Sequence, residues 1–155
     1  MTVAVFDIDG VVADVRHRLH HLDGRKRWNA FFAAADADQL LPEGAALVAE
    51  LAQEHEIVWL TGRPEWLRRT TTDWLAAHDL PSGELFLRPP GDYRPAPQYK
   101  VGVLRRLAAR GVAALIDDDD EVVRAAQRAG FPAVLADWVP RADALREAQD
   151  RQGRT

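Results

Sequence analysis

Three short apolar runs in this chain each end in residues able to do chemistry, and helical patterns separate them. Val3–Phe6 ends at Asp7, Ile57–Leu60 at Thr61-Gly62-Arg63, and Val112–Ile116 at Asp117-Asp118-Asp119-Asp120. Weaker runs at Glu84–Leu87 and Ala133–Leu135 complete a set of five. Their length and polar flanks favour strands over helices. Between them, Leu47, Val48 and Leu51 share one face of a helix over Glu43–Gln53. Pro64 suits a first helical position, with Leu67, Thr71, Trp74 and Leu75 following at helical spacing. The stripe Val101, Leu104, Leu107 stops at Gly111, and Val122, Val123, Ala126 stops before Gly130. Strand–helix alternation predicts an α/β fold, a parallel sheet with helices on both faces. Ligands bind such sheets beyond the carboxyl ends of the strands. The three chemically loaded ends are therefore expected to converge.

The length, 155 residues, suits one domain over 1–155, and an apolar content of 47% supports a real core. Residues 14–41, rich in His and Arg and carrying Trp28, Phe31 and Phe32, read as a small lid inserted after the first strand. The net charge is −4 and no Lys/Arg block dominates, so a broad face for duplex DNA is not expected. A small phosphorylated ligand, or the end of a strand, is compatible with that balance. The absence of cysteine excludes thiol catalysis and Cys-ligated zinc, leaving oxygen or imidazole to hold any metal. No apolar run reaches the length of a membrane span, and Met1–Phe6 lacks a basic leader, so a cytoplasmic enzyme is expected. Arg88–Pro97 reads as a Pro/Gly-rich loop. The polar tail after Arg146 is expected to fray, and Trp59, Trp66, Trp74 and Trp138 to pack.

Asp7-Ile8-Asp9-Gly10 places two carboxylates at a strand end where Gly10 permits a turn. Such crowding favours a hard divalent cation with oxygen ligands. It is equally the pattern of a solvated acidic turn. Asp117 and Asp118 precede the positions that serve a helix N-terminus, whereas Asp119 or Asp120 suits the cap itself. Thr61-Gly62-Arg63-Pro64, between a strand and a helix, offers a hydroxyl and free N–H groups to an anion. Lys100 stands before an amphipathic helix, within reach of a phosphate. His17 and His21, at i and i+4, raise a weaker zinc reading. Arg16, His17, Arg18, His20, His21 and Trp28 are lid residues with access to substrate or solvent, and Trp28, Phe31 and Phe32 suit either lid packing or stacking on a base.

Taken in order, Asp-x-Asp-Gly, Thr-Gly-Arg, a lysine before a helix and Asp-Asp resemble the haloacid dehalogenase superfamily over residues 3–137. Within it the chain is most similar to the phosphatase domain of phage polynucleotide kinase and its bacterial relatives, with deoxyribonucleotidases alike in the same places. The resemblance implies a Rossmann-like core and a magnesium-dependent phosphatase working through a phosphoaspartyl intermediate. It implies Asp7 as nucleophile, Asp9 as general acid/base, Thr61 as the phosphoryl-binding hydroxyl and Lys100 as the lysine steadying phosphate and intermediate. Gly62 and Arg63 would bind substrate, and Asp7, Asp9, Asp117 and Asp118 would surround Mg2+. Val11 departs from the pattern, since many phosphatases of the superfamily carry Thr there. Nucleotides, nucleic-acid 3′-phosphate ends and other small phosphoesters are the substrate classes in view. A phospho-accepting receiver module and an inactive phosphate-binding relative are the alternatives.

Overall fold

A computed structural model describes residues 1–155. In chain order the strands are β1 (Val3–Phe6), β2 (Ala13–Asp14), β3 (Gln39–Leu40), β4 (Glu56–Pro64), β5 (Glu84–Arg88), β6 (Val112–Asp117) and β7 (Ala133–Leu135). The α-helices are α1 (Trp28–Ala33), α2 (Pro42–Leu51), α3 (Arg68–Ala77), α4 (Ala96–Leu107), α5 (Asp120–Arg128) and α6 (Asp143–Glu147). Five strands form one sheet in the order β5-β4-β1-β6-β7, and every neighbouring pair is parallel. All five predicted strands are present.

Alternation along β1 explains its central place. Ala4 and Phe6 face Val48 of α2 and Trp74 and Leu75 of α3, while Val3 and Val5 face Val103 and Leu104 of α4 and Val122 and Ala126 of α5. A strand buried on both faces needs such a continuous apolar run. Full burial of each large apolar side chain contributes about 1.5–3 kcal/mol. No helix is long and apolar enough to cross a membrane.

The chain builds β4 and β5 on one side of β1, then crosses to β6 and β7 on the other. This reversal opens a crevice at the carboxyl end of β1. Register does the rest: Phe6 pairs with Ile116, and the Asp7 N–H donates to the Ile116 carbonyl at 2.9 Å, so Asp7 and Asp117 emerge side by side.

Residues 14–41 fold over this edge as 3-10 turns and the short α1, closed by the antiparallel β2–β3 pair. Val15, Leu22, Phe31 and Phe32 pack against Leu67, Leu87 and Leu145, which joins this insert to the sheet edge and to α6. Two expectations are corrected. Pro64 ends β4 and caps a 3-10 turn, and α3 begins only at Arg68, so Thr61-Gly62-Arg63 lies in a strand extension and not at a helix N-terminus. The tail does not fray: after α6 it continues as a π-helix over Ala148–Gln152, and Thr155 is only 3% exposed.

Candidate active site

The sheet's carboxyl edge gathers an acidic cluster. Oxygens of Asp7, Asp117 and Asp118 all lie within 4.8 Å of one another. Gly10 makes room for this: its φ is +79°, and a side chain there would meet Asp118 Oδ2 at 2.0 Å. Lys100, near the start of α4, is the cation facing the cluster. Its Nζ lies 2.6 Å from Asp117 Oδ2 and 3.1 Å from Asp7 Oδ1. Asp117 is further fixed by the Asp119 N–H at 2.9 Å, and Asp119 caps α5 by accepting from the Glu121 and Val122 N–H groups.

Three carboxylates against one ammonium leave the cluster short of positive charge. Burial and then Asp117 push the Asp7 carboxyl up to about 7, against the pull of Lys100. Burial, Asp7 and Asp117 push Asp118 well above the carboxylate range, and its Oδ1 is buried without a hydrogen-bond partner. Burial disfavours charge on Lys100, but Asp117 and Asp7 outweigh it and keep the ammonium protonated. An orphaned buried oxygen in a set of hard oxygen donors fits magnesium well.

Asp9 belongs to a different cluster. Its Oδ1 accepts from Arg63 Nη2 at 2.6 Å and from Arg18 Nη2 at 3.1 Å. Arg63 Nη2 also reaches Asp38 Oδ2 at 3.2 Å, and Arg18 grips Asp38 through Nε at 2.8 Å and Nη2 at 2.9 Å. Both guanidiniums are fully buried, at 0% exposure. Burial works against charge on Asp9, but Arg63 and Arg18 outweigh it and hold its carboxyl below the usual range. Asp9 was expected beside the metal as well; its carboxylate is turned to the two arginines and lies outside the group formed by Asp7, Asp117 and Asp118.

Sequence reasoning missed Asp38 altogether and placed Arg18 at the lid surface. Asp38 closes the insert just before β3, and Arg18 stacks on Phe31 at 4.3 Å while bonding across to the core. His17 reaches the same Asp38 with Nε2 at 2.6 Å. The zinc pairing of His17 with His21 is not formed: the segment is a 3-10 helix, where i and i+4 diverge, and His21 instead lies against His20 at 4.0 Å between rings. Arg16 pairs with Asp14 at 2.6 Å on the surface.

Thr61 and Gly62 border the crevice together with Asp7, Asp9, Lys100 and Asp117. Thr61 Oγ1 accepts the Arg63 N–H at 3.1 Å, leaving the hydroxyl hydrogen free to donate. Ala96, Asp119, Gln149 and Thr155 complete the lining, and the enclosed space is only about 10 Å³, room for about one water. A side chain at position 62 would meet the Thr155 backbone at 2.1 Å.

A family model described as the phosphatase domain of polynucleotide kinase matches residues 1–136. Among solved structures, a chain of the Pnkp1/Rnl/Hen1 complex superposes with a TM-score of 0.70 at 25% identity, covering 86% of this chain and 45% of that one. The present chain thus spans less than half of that relative. A putative beta-phosphoglucomutase from Thermotoga maritima shares the fold at a TM-score of 0.55 and 18% identity, covering 97% of this chain and 93% of that one. The magnesium-bound HAD-hydrolase YfnB from Bacillus subtilis does so at 0.60 and 13%, covering 86% and 87%. No curated protein matches significantly. The family match sets aside the receiver reading. The acidic strand end and the match over residues 1–136 agree: this chain belongs to the polynucleotide kinase phosphatase-domain family of the haloacid dehalogenase superfamily, and it is a phosphatase.

Proposed function

We propose that the chain hydrolyses phosphate monoesters with magnesium through a phosphoaspartyl intermediate, and that its substrates are nucleic-acid 3′-phosphate ends. One observation carries the chemistry. Asp7 stands in an acidic cluster short of positive charge, and Asp9, two residues on, is held apart from it by two buried arginines.

In this reading an Asp7 carboxylate oxygen attacks phosphorus in line and the bond from phosphorus to the leaving oxygen breaks. Asp9 delivers a proton to that oxygen. Asp9 then takes a proton from water, water attacks phosphorus, and the bond to Asp7 breaks, releasing inorganic phosphate. Positioned acid/base catalysis contributes ~10²–10⁴-fold. The arginines keep Asp9 ionised in the resting enzyme; as the phosphoryl anion arrives, like-charge repulsion raises its proton affinity, and Asp9 takes up from solvent the proton that it then donates. The Thr61 hydroxyl and the Gly62 N–H bind phosphoryl oxygens, and Lys100 steadies phosphate beside Asp7. Arg63 positions Asp9. Asp7, Asp117 and Asp118 would hold the magnesium ion, which when bound offsets negative charge on the phosphoryl oxygens. Residues 14–41 act as a lid whose Arg18 and Asp38 complete the Asp9 setting.

Support for the substrate class comes from the family and from the relative in the Pnkp1/Rnl/Hen1 RNA repair complex. The test is a panel of para-nitrophenyl phosphate, 3′-mononucleotides and 3′-phosphorylated oligonucleotides, each with and without magnesium. Magnesium-dependent release from all, with the highest kcat/KM on oligonucleotides, is expected. Equal rates on mononucleotides and oligonucleotides would remove the polynucleotide reading.

A further inference from the structure

Beside the catalytic crevice lies a second cavity, about 470 Å³, lined by Trp66, Arg88, Pro89, Pro90, Tyr93 and Arg154 among others. Trp66 and Tyr93 are two of the few large apolar side chains left exposed, at 58% and 62%. Trp66 is fixed in place, its ring edge-on to Phe32 of the lid at 6.0 Å. Two exposed rings on one groove form a platform of the kind that bases stack on, whatever their identity.

Arg88 supplies a separate signal. It is 3% exposed, yet it lines the groove and its Nε has no hydrogen-bond partner. Its Nη1 donates to the Arg94 carbonyl at 2.8 Å and more weakly to that of Asp92, with the Asp92 carboxylate 3.5 Å away, and its guanidinium lies over the Tyr99 ring at 4.9 Å. A guanidinium held this firmly with donor capacity unspent suits a phosphodiester. The acidic residues of the groove are already occupied, Glu65 by Arg68 at 2.6 Å and Asp92 by Arg94 at 2.7 Å.

The groove and the crevice are joined by one stretch of chain. Arg154 lies over the Tyr93 ring at 5.8 Å, Thr155 borders the catalytic residues, and the Thr155 carbonyl is 3.5 Å from Arg88 Nη2. This stretch thus runs from the aromatic groove into the space a phosphoryl group would need. We propose that it occupies the track of a single-stranded nucleic-acid end: bases stack on Trp66 and Tyr93, Arg88 binds the adjoining phosphodiester, and the strand displaces Gly153–Thr155 to set its terminal phosphate before Asp7. This inference rests on the polynucleotide reading above and names its subsite.

The experiment compares wild type, Trp66→Ala, Tyr93→Ala and Trp66→Ala/Tyr93→Ala on para-nitrophenyl phosphate and on 3′-phosphorylated oligomers one to six nucleotides long, as DNA and as RNA. Wild-type kcat/KM is expected to climb over the first few nucleotides. Each alanine variant should lose about tenfold of that gain, mainly through KM, while para-nitrophenyl phosphate turnover stays unchanged and reports a correct fold. A similar loss on both sugars points to stacking, and loss on one sugar adds a 2′-hydroxyl contact to the same groove. Should wild type show no gain with length, the polynucleotide reading fails. Should wild type gain and the double variant gain equally, the groove assignment fails while that reading stands. Arg154→Ala, which releases Tyr93 from the tail, should lower KM for the hexamer; a raised KM would overturn the displacement. If an alanine variant misfolds, Trp66→Leu and Tyr93→Leu keep bulk without the ring and are expected to show the same selective loss.

Discussion

Two clusters of charge sit within one side chain's reach of each other, and they are built oppositely. Around Asp9, two carboxylates (Asp9, Asp38) meet two guanidiniums (Arg18, Arg63), all buried and mutually bonded. Around Asp7, three carboxylates meet one ammonium, and one carboxylate oxygen has no partner. The balanced cluster is complete without a ligand and its work is to hold Asp9 still. With all three carboxyls ionised the unbalanced one is two positive charges short, a deficit that a divalent cation would remove. Adjacent carboxylates on one strand end thereby acquire different duties from their surroundings.

Breaking the balanced cluster has the larger expected effect. Arg63→Met strips Asp9 of its principal partner and leaves buried charge uncompensated, which should cost about 3–5 kcal/mol of stability and ~10²–10⁴-fold in kcat. Arg63→Lys should rescue neither, since Nε and Nη2 both serve Asp9 while Nη1 donates to Thr71 Oγ1 at 3.0 Å, a fork that an ammonium lacks. Denaturant melts and steady-state rates check both. Wild-type kcat in Arg63→Met would show that the cluster does not position Asp9.

The unbalanced cluster gives the next effect. Asp7 and Asp118 hold protons more tightly than ordinary carboxyls, and a cation must displace them. Magnesium uptake should therefore release protons and tighten as pH rises through about 7, measurable by titration calorimetry in buffers of different ionisation enthalpy. Asp118→Asn should weaken magnesium binding and reduce the proton release. Asp38→Asn keeps its shape but leaves Arg18 half-compensated, and a loss of about 1–3 kcal/mol is expected in a thermal melt.

The smallest effect concerns the tail. Burial and then Asp119 raise the Asp150 carboxyl to about 8, against the pull of Arg141, whose Nη2 donates to Gln149 Oε1. The docked tail thus keeps a proton that the released tail gives up near the ordinary aspartate value of 3.8. Docking is strongest below that value and weakens as pH rises toward 8. Proteolysis at Arg151 should speed up over that range, and Asp150→Asn should flatten the dependence.

The core was legible because its signals are local. Apolar runs of strand length, each closed by an acidic or hydroxyl residue, required no long-range information, and the parallel order placed Asp7 beside Asp117 as expected. Position ahead of the helical stripe narrowed the α5 cap to Asp119 or Asp120, and the structure gives that place to Asp119. What escaped depends on how the insert folds back. Arg18 and Asp38 are twenty residues apart with no motif between them, and only the β2–β3 pairing brings them onto Asp9. Trp59 and Trp74 are buried as expected, yet Trp66, on a 3-10 turn where a regular helix was expected, is exposed. The polar tail offered no apolar pattern to betray its docking, which rests on burial of Ala148 and Thr155 and on backbone packing against Gly62.

The proposed mechanism requires Asp7 to carry the phosphoryl group. An acid quench of Asp9→Asn during turnover of a 32P-labelled 3′-phosphorylated oligonucleotide with magnesium tests it most directly. Covalent, hydroxylamine-labile label is expected on the peptide containing Asp7, and none in Asp7→Asn, which should also release phosphate only at background rate. Label on another peptide, or undiminished phosphate release by Asp7→Asn, would contradict it.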